Sequence, residues 1–137
     1  MTAIAHLAAP VSFYFKDPTP IIHAAVNGTK AILNSALIHA GSQLKTIVLM
    51  SSIAAVVNAH PPPYTLTEND WNNFAENMCE EQKRETPGPV IYCASKVAGE
   101  KAFWEFQKER QPPFTMTSLN PVYVPTTMSD SAIRLFS

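Results

Sequence analysis

Strand-length apolar runs alternate along this chain with long helical patterns, and that order limits the folds open to it. Thr2-Ala3-Ile4-Ala5-His6-Leu7-Ala8-Ala9-Pro10 reads as a short buried strand that runs into a turn at Pro10. A short run with no polar face suits the middle of a parallel sheet. From about Pro20 to His39 the pattern changes. Ile22, Val26, Thr29, Leu33 and Ala36 fall near a 3.6-residue period, and Ile21, Ala25 and Ile32 widen the stripe. Lys45-Thr46-Ile47-Val48-Leu49-Met50 then reads as a second strand that passes directly into Ser51-Ser52. Strand, helix and strand in this order imply a right-handed crossover and a parallel pair. Ser51 and Ser52 are thereby placed at the carboxyl end of a parallel strand, the edge where open α/β sheets bind ligands.

Two local features of the first helix carry expectations. Gly28, after Asn27, interrupts the stripe, where glycine costs about 1 kcal/mol against alanine. Close helix packing or a local distortion is expected there. Asn27 itself is read as packing the helix. Gly41 is placed to cap the helix C-terminus.

The second half repeats the alternation over longer distances. A connection runs from about Asn58 to Pro89 and includes the stiff Pro61-Pro62-Pro63 piece. Within it, Thr67-Glu68-Asn69-Asp70 predicts a helix N-terminus capped by Thr67, with Trp71 and Phe74 packing the helix down. Glu80, Glu81, Lys83 and Arg84 read as a solvated face. Pro87-Gly88-Pro89 closes the excursion. A long helix is then predicted from near Tyr92 to about Arg110, stopped by Gln111-Pro112-Pro113. Phe114 to Leu119 predicts a third strand, followed by Asn120-Pro121. Residues 1–124 read as one domain, and 125–137 as a tail without a clear element.

Composition removes several function classes. The 137 residues make about one domain. With 46% hydrophobic and 15% charged residues, a real core is expected rather than disorder. A formal net charge of −1 and no basic stripe argue against nucleic acid as a partner. No apolar run reaches the roughly 18–20 residues that span a bilayer, and no signal-peptide pattern opens the chain. Cys79 and Cys93 form neither a disulfide scaffold nor a metal site, which fits a reducing compartment. His6, His23, His39 and His60 show no ligand spacing. The reading is a cytoplasmic protein with no metal, no membrane and no nucleic-acid partner.

The chemistry centres on Tyr92-Cys93-Ala94-Ser95-Lys96. A phenol and an ammonium four residues apart share one helix face, and a nearby ammonium favours a phenolate. Such a phenol can give a proton to a carbonyl oxygen as hydride reaches its carbon. A serine hydroxyl at the strand edge can hold and polarise that oxygen. Neither group supplies hydride, so a cofactor is required. Cys93 beside the pair reads as a small packing residue.

Several motifs in this order resemble the extended short-chain dehydrogenase/reductases, and most closely their dihydroflavonol-reductase-like branch, which includes fungal ketone and aldehyde reductases. They are His6-Leu7-Ala8-Ala9-Pro10, Val26-Asn27-Gly28-Thr29, Leu49-Met50-Ser51-Ser52, Asn69-Asp70-Trp71-Asn72, Tyr92 to Lys96 with Glu100-Lys101-Ala102, and Asn120-Pro121-Val122-Tyr123-Val124. The resemblance implies a partial Rossmann-like, doubly wound parallel α/β sheet: roughly the second half of the fold plus the catalytic helix.

It also implies roles. Tyr92 would be the general acid/base, Lys96 would bind the nicotinamide ribose, and Ser52 (with Ser51 as the alternative) would hold the substrate oxygen. Ala8, Ala9, Ser51, Tyr92, Lys96, Pro121 and Val122 would line the cofactor. The implied cofactor is NADPH, with NAD the alternative. The implied reaction is reduction of a small ketone or aldehyde, in a secondary-metabolite setting. The implied assembly is a homodimer through the helices near 20–39 and 92–110.

The sequence departs from the family pattern in one respect. Gly28, Gly41, Gly88 and Gly99 form no G-x-x-G-x-x-G turn for a pyrophosphate. The chain therefore reads as the middle of an enzyme with both flanks removed, and a non-catalytic remnant or interaction module is the alternative.

Overall fold

A computed structural model describes residues 1–58 and 63–122 of the chain. The expectations for Pro61, Pro62, Tyr123, Val124 and the 125–137 tail, and for His60, lie outside the described residues. Thr46–Met50 (β2) is the central strand of a three-stranded parallel sheet, flanked by Ala3–His6 (β1) and Thr115–Leu119 (β3). The register puts Ile4 beside Ile47 and Ile47 beside Met116. It also puts His6 beside Leu49 and Leu49 beside Ser118. Because side chains alternate along a strand, these two rows point to the same face.

That face carries the core. Leu33 and Ala36 come from the helix Pro18–His39 (α1), and Phe103 and Phe106 from the helix Gly88–Arg110 (α3). They pack on Ile47, Leu49 and Met116. The helix Asn73–Gln82 (α2) is held by a second cluster, in which Ala75 and Cys79 meet Ile91 and Ala94 of α3. The partial Rossmann-like parallel α/β fold is what the alternation of elements requires. No helix among the described residues is long and apolar enough to cross a membrane.

Several boundaries differ from the sequence reading for identifiable reasons. β1 ends at His6, well before Pro10. It lies at the edge of the described sheet, and Ala3 and Ala5 are exposed rather than buried. Its continuous apolar run suggested burial on both faces, but α1 and α3 cover only the Ile4–His6 side. α1 starts at Pro18, where the Asp17 carboxylate accepts the Thr19 N–H at 3.1 Å. Gly41 sits just past its end with φ +61°, the left-handed conformation that glycine adopts freely. Gly28 neither packs nor distorts, since a Cβ there would meet nothing within 4 Å. Asn27 is exposed. Close contact between α1 and α3 is made instead at Gly99, against Ala25 and Thr29.

Two further corrections concern the long connection. Thr67 caps no helix. Its N–H and hydroxyl both donate to Asp70 Oδ2, at 2.6 Å and 2.9 Å, which closes a tight turn. The helix begins later, where Asn72 Oδ1 accepts the Ala75 N–H at 3.1 Å. Phe74 stays largely exposed and does not anchor α2. Finally, Pro87-Gly88-Pro89 starts α3 rather than ending a loop, because proline needs no N–H partner in a first turn. Tyr92 therefore lies in the second turn of α3.

Candidate active site

The carboxyl ends of β2 and β3 are stitched together beyond the last strand residues. The Ser51 N–H donates to the Leu119 carbonyl at 2.9 Å, and the Ile53 N–H to the Pro121 carbonyl at 3.0 Å. Ser52 lies between them in extended backbone. Its Oγ accepts the Ala54 N–H at 3.2 Å and so caps the short turn Ile53–Ala55. That turn packs against α3. The hydroxyl proton of Ser52 enters no hydrogen bond among the described residues, and the side chain is half-buried. It can donate to an oxygen placed at this edge.

Ser51 is used differently. Its hydroxyl donates to Glu100 Oε2 at 2.6 Å and is buried. The two adjacent serines thus point their hydroxyls to different purposes, one into the protein and one toward the edge.

On α3, Lys96 Nζ lies 5.8 Å from the centroid of the Tyr92 ring and 3.5 Å from the Met50 carbonyl oxygen. The ammonium is half-buried between the helix and the end of β2. Burial lowers its pKa below the ordinary lysine value, and the Glu100 carboxylate one turn further on opposes that effect. Phe13 meets the Tyr92 ring edge-on, with centroids 5.6 Å apart and an interplanar angle of 76°. Lys96 shares a small cleft with His6, Ala8, Ala9 and Ser51. Pro121 stands beside Ser52 through its carbonyl bond to Ile53, while Val122 is 71% exposed. A larger cleft lined by Asp17, His23, Glu76, Cys79 and Arg84 shares none of the small cleft's residues. Some of its charged residues are paired, Asp17 with Arg84 at 3.0 Å and Glu76 with Lys101 at 2.6 Å. No cluster of three His, Cys, Asp or Glu side chains fit for a metal occurs among the described residues.

His6 adds a pH signature. Burial, and then the charge of Lys96, push its pKa below 6.5. The neutral ring is favoured in the fold, so the unfolded chain binds the proton more readily between the folded pKa and 6.5. Stability is therefore retained above 6.5 and declines as pH falls through that window. The melting temperature of the wild-type chain should drop more between pH 7.5 and pH 5 than that of His6→Gln. Equal drops would mean that His6 is not the group responsible.

The start of α3 is tightly built. A Cβ on Gly88 would lie 2.1 Å from the Phe13 carbonyl oxygen and 2.7 Å from its carbonyl carbon. Gly88→Ala should therefore displace the Phe13 segment from Tyr92 and cost about 1–3 kcal/mol in a denaturant melt. Gly28→Ala, in open space on a helix, should instead gain roughly 0.5–1 kcal/mol.

Glu100 escaped the sequence reading, which quoted it only within a motif. Its carboxylate is buried at 5% exposure and accepts from Ser51, from Asn120 Nδ2 at 2.8 Å and from Trp104 Nε1 at 3.4 Å. The available signal was its position between Gly99 and Ala102-Phe103, on the apolar side of α3.

The parallel sheet thus ends, at its carboxyl edge, in Ser51 and Ser52, with Lys96 of α3 against the Met50 carbonyl and Tyr92 beside Lys96. Comparison with known proteins shows the family. The family model described as male sterility protein, an NAD-binding family, matches residues 1–130. The chain belongs to this family, within the extended short-chain dehydrogenase/reductases. It is 36% identical over 128 residues to the NADPH-dependent methylglyoxal reductase GRE2 of Saccharomyces cerevisiae, covering 88% of this chain and 36% of that protein. It is 32% identical over 124 residues to the ketoreductase azaE of Aspergillus niger, covering 88% and 34%. The crystal structure of yeast methylglyoxal/isovaleraldehyde reductase Gre2 complexed with NADPH superposes with a TM-score of 0.77 at 33% identity, over 90% of this chain and 36% of that one. The chain thus spans about a third of the length of these relatives.

Proposed function

We propose that this chain carries the proton-transfer half of an NADPH-dependent reductase that converts a ketone or aldehyde to an alcohol. The observation that supports it most is the half-buried Lys96 ammonium, held between the Tyr92 ring and the Met50 carbonyl beside the Ser51-Ser52 strand end. A half-buried cation whose contacts among the described residues are a carbonyl oxygen and a ring, with no carboxylate bonded to it, is suited to neutral hydroxyl groups of a ligand.

In this reading Ala8 and Ala9, on the wall of the small cleft beside Lys96, would line the ribose–nicotinamide end of the cofactor, with Pro121 and Val122 at the adjacent strand end. The sequence offers no glycine-rich cradle, so the proposal concerns that end of the cofactor alone. When bound, NADPH would supply the hydride. Ser52 would donate its free hydroxyl proton to the substrate oxygen and orient it. Tyr92 would deliver a proton to that oxygen as charge develops, and Lys96 would hold the ribose and stabilise the phenolate left behind. Ser51, with its hydroxyl committed to Glu100, would line the cofactor by backbone and position. NAD is the alternative cofactor, and secondary-metabolite carbonyls are the substrate class that the resemblance implies.

A cytoplasmic setting is proposed on the two thiols, Cys79 buried and Cys93 half-buried, both free. A homodimer through α1 and α3 belongs to the same proposal. α1 keeps Ala24, Gly28 and Ala31 exposed for it.

Fluorescence titration of the purified chain with NADPH tests the reading. Saturable binding is expected, weakened at least about tenfold by Lys96→Met. Absence of binding at millimolar cofactor would remove the catalytic reading for this chain and favour a non-catalytic module.

A further inference from the structure

Glu100 is a buried carboxylate that the proton-transfer chemistry does not use, and its partners come from three elements. Ser51 Oγ donates to it from the end of β2, Asn120 Nδ2 from the end of β3 and Trp104 Nε1 from its own helix. Asn120 Nδ2 also reaches the Ser52 carbonyl at 3.1 Å, so one amide links Glu100 to the Ser52 backbone. A buried carboxylate accepting several bonds is costly to form without donors and firmly seated once it has them. None of the donors is a cation. The charge that faces it is Lys96, one helical turn away in the same small cleft.

We propose that Glu100 is a positioning residue that clamps the ends of β2 and β3 around Ser52 and serves as the counter-charge of Lys96. The clamp acts on Ser52 through Ser51 and Asn120. The counter-charge acts on Lys96 through space. The other groups facing Lys96 are His6 from β1, Tyr92 from α3 and the Met50 carbonyl from β2. α1 adds Ala25 and Thr29, neither of which titrates. Glu100 is therefore the one anion of this set. The inference rests on Lys96 and Ser52 being site residues, but its test needs neither cofactor nor turnover. Failure to bind NADPH would sink the catalytic reading without moving the Lys96 midpoint, so the two failures are distinguishable.

Lys96 can be titrated in the full chain by pulsed acetylation across pH, read by mass spectrometry with exposed Lys108 as the internal reference. Glu100→Gln should move the Lys96 midpoint down by about one pH unit, as expected for losing a nearby opposite charge. Glu100→Asp keeps the charge and should restore the midpoint. An unmoved midpoint in Glu100→Gln, or an equal shift in both variants, overturns the counter-charge role. The clamp is read separately by hydrogen exchange at the Ser51 and Ile53 amides, whose acceptors are Leu119 and Pro121. Ser51→Ala and Asn120→Ala each remove one donor and leave Glu100 in place. Each should lower protection at both amides by roughly tenfold, and unchanged protection in both variants overturns the clamp.

Discussion

Tyr92→Phe should lower kcat for carbonyl reduction by about 10²- to 10⁴-fold, the range for removing a positioned general acid. The substitution deletes one oxygen and keeps the ring. The edge contact with Phe13 and the approach of Lys96 Nζ to the ring both survive it. NADPH affinity should therefore stay within about twofold, well under the tenfold that 1.4 kcal/mol represents. The loss belongs in kcat and not in cofactor binding, because the proton is needed only as charge develops on the substrate oxygen. Turnover unchanged by the substitution would refute Tyr92 as the acid. A parallel loss of cofactor binding would point to a structural role for the phenol instead.

The second large effect concerns stability. Phe103 is 1% exposed and stands where α3 meets the sheet, among Leu33, Ile47 and Phe106. Phe103→Ala should cost about 3–5 kcal/mol, combining lost transfer energy with a cavity the neighbours cannot close. Natural domains have about 5–15 kcal/mol in total. The variant should therefore melt far earlier, or lose its cooperative transition in circular dichroism. Phe74→Ala is the matched control. Phe74 is 55% exposed, and its loss should change stability by less than about 0.5 kcal/mol. If the two variants melt alike, the assignment of the core is wrong.

What the sequence revealed follows from which forces act locally. Ile47 and Leu49 declare a strand because their neighbours Val48 and Met50 are apolar too, and the alternation with α1 leaves few topologies. Tyr92 and Lys96 could be paired because helical spacing is rigid. Glu100 could not be placed, because its partners Ser51 and Asn120 are distant in sequence and meet it only through packing. The start of α3 was misread for a different reason. Proline breaks a helix interior but suits a first turn, and Pro87-Gly88-Pro89 alone does not say which applies. Thr67 and Asn72 are both residue types that cap helices. Asp70 decided between them by accepting both bonds from Thr67.

The register of the sheet carries a kinetic consequence. Ala3 pairs with Thr46, and Thr46 pairs with Thr115. No strand in the described sheet finds its partner nearby along the chain. Each pairing must wait for a long loop to close, an entropic cost met before any ladder bond repays it. α1 and α3 can each form locally, but their packing, Ala25 against Gly99, joins residues as distant along the chain as the paired strands. Sheet and helix pair should therefore assemble together, which makes refolding slow, on the millisecond-to-second scale of non-local topologies. The edges of β1 and β3 would be exposed throughout that interval.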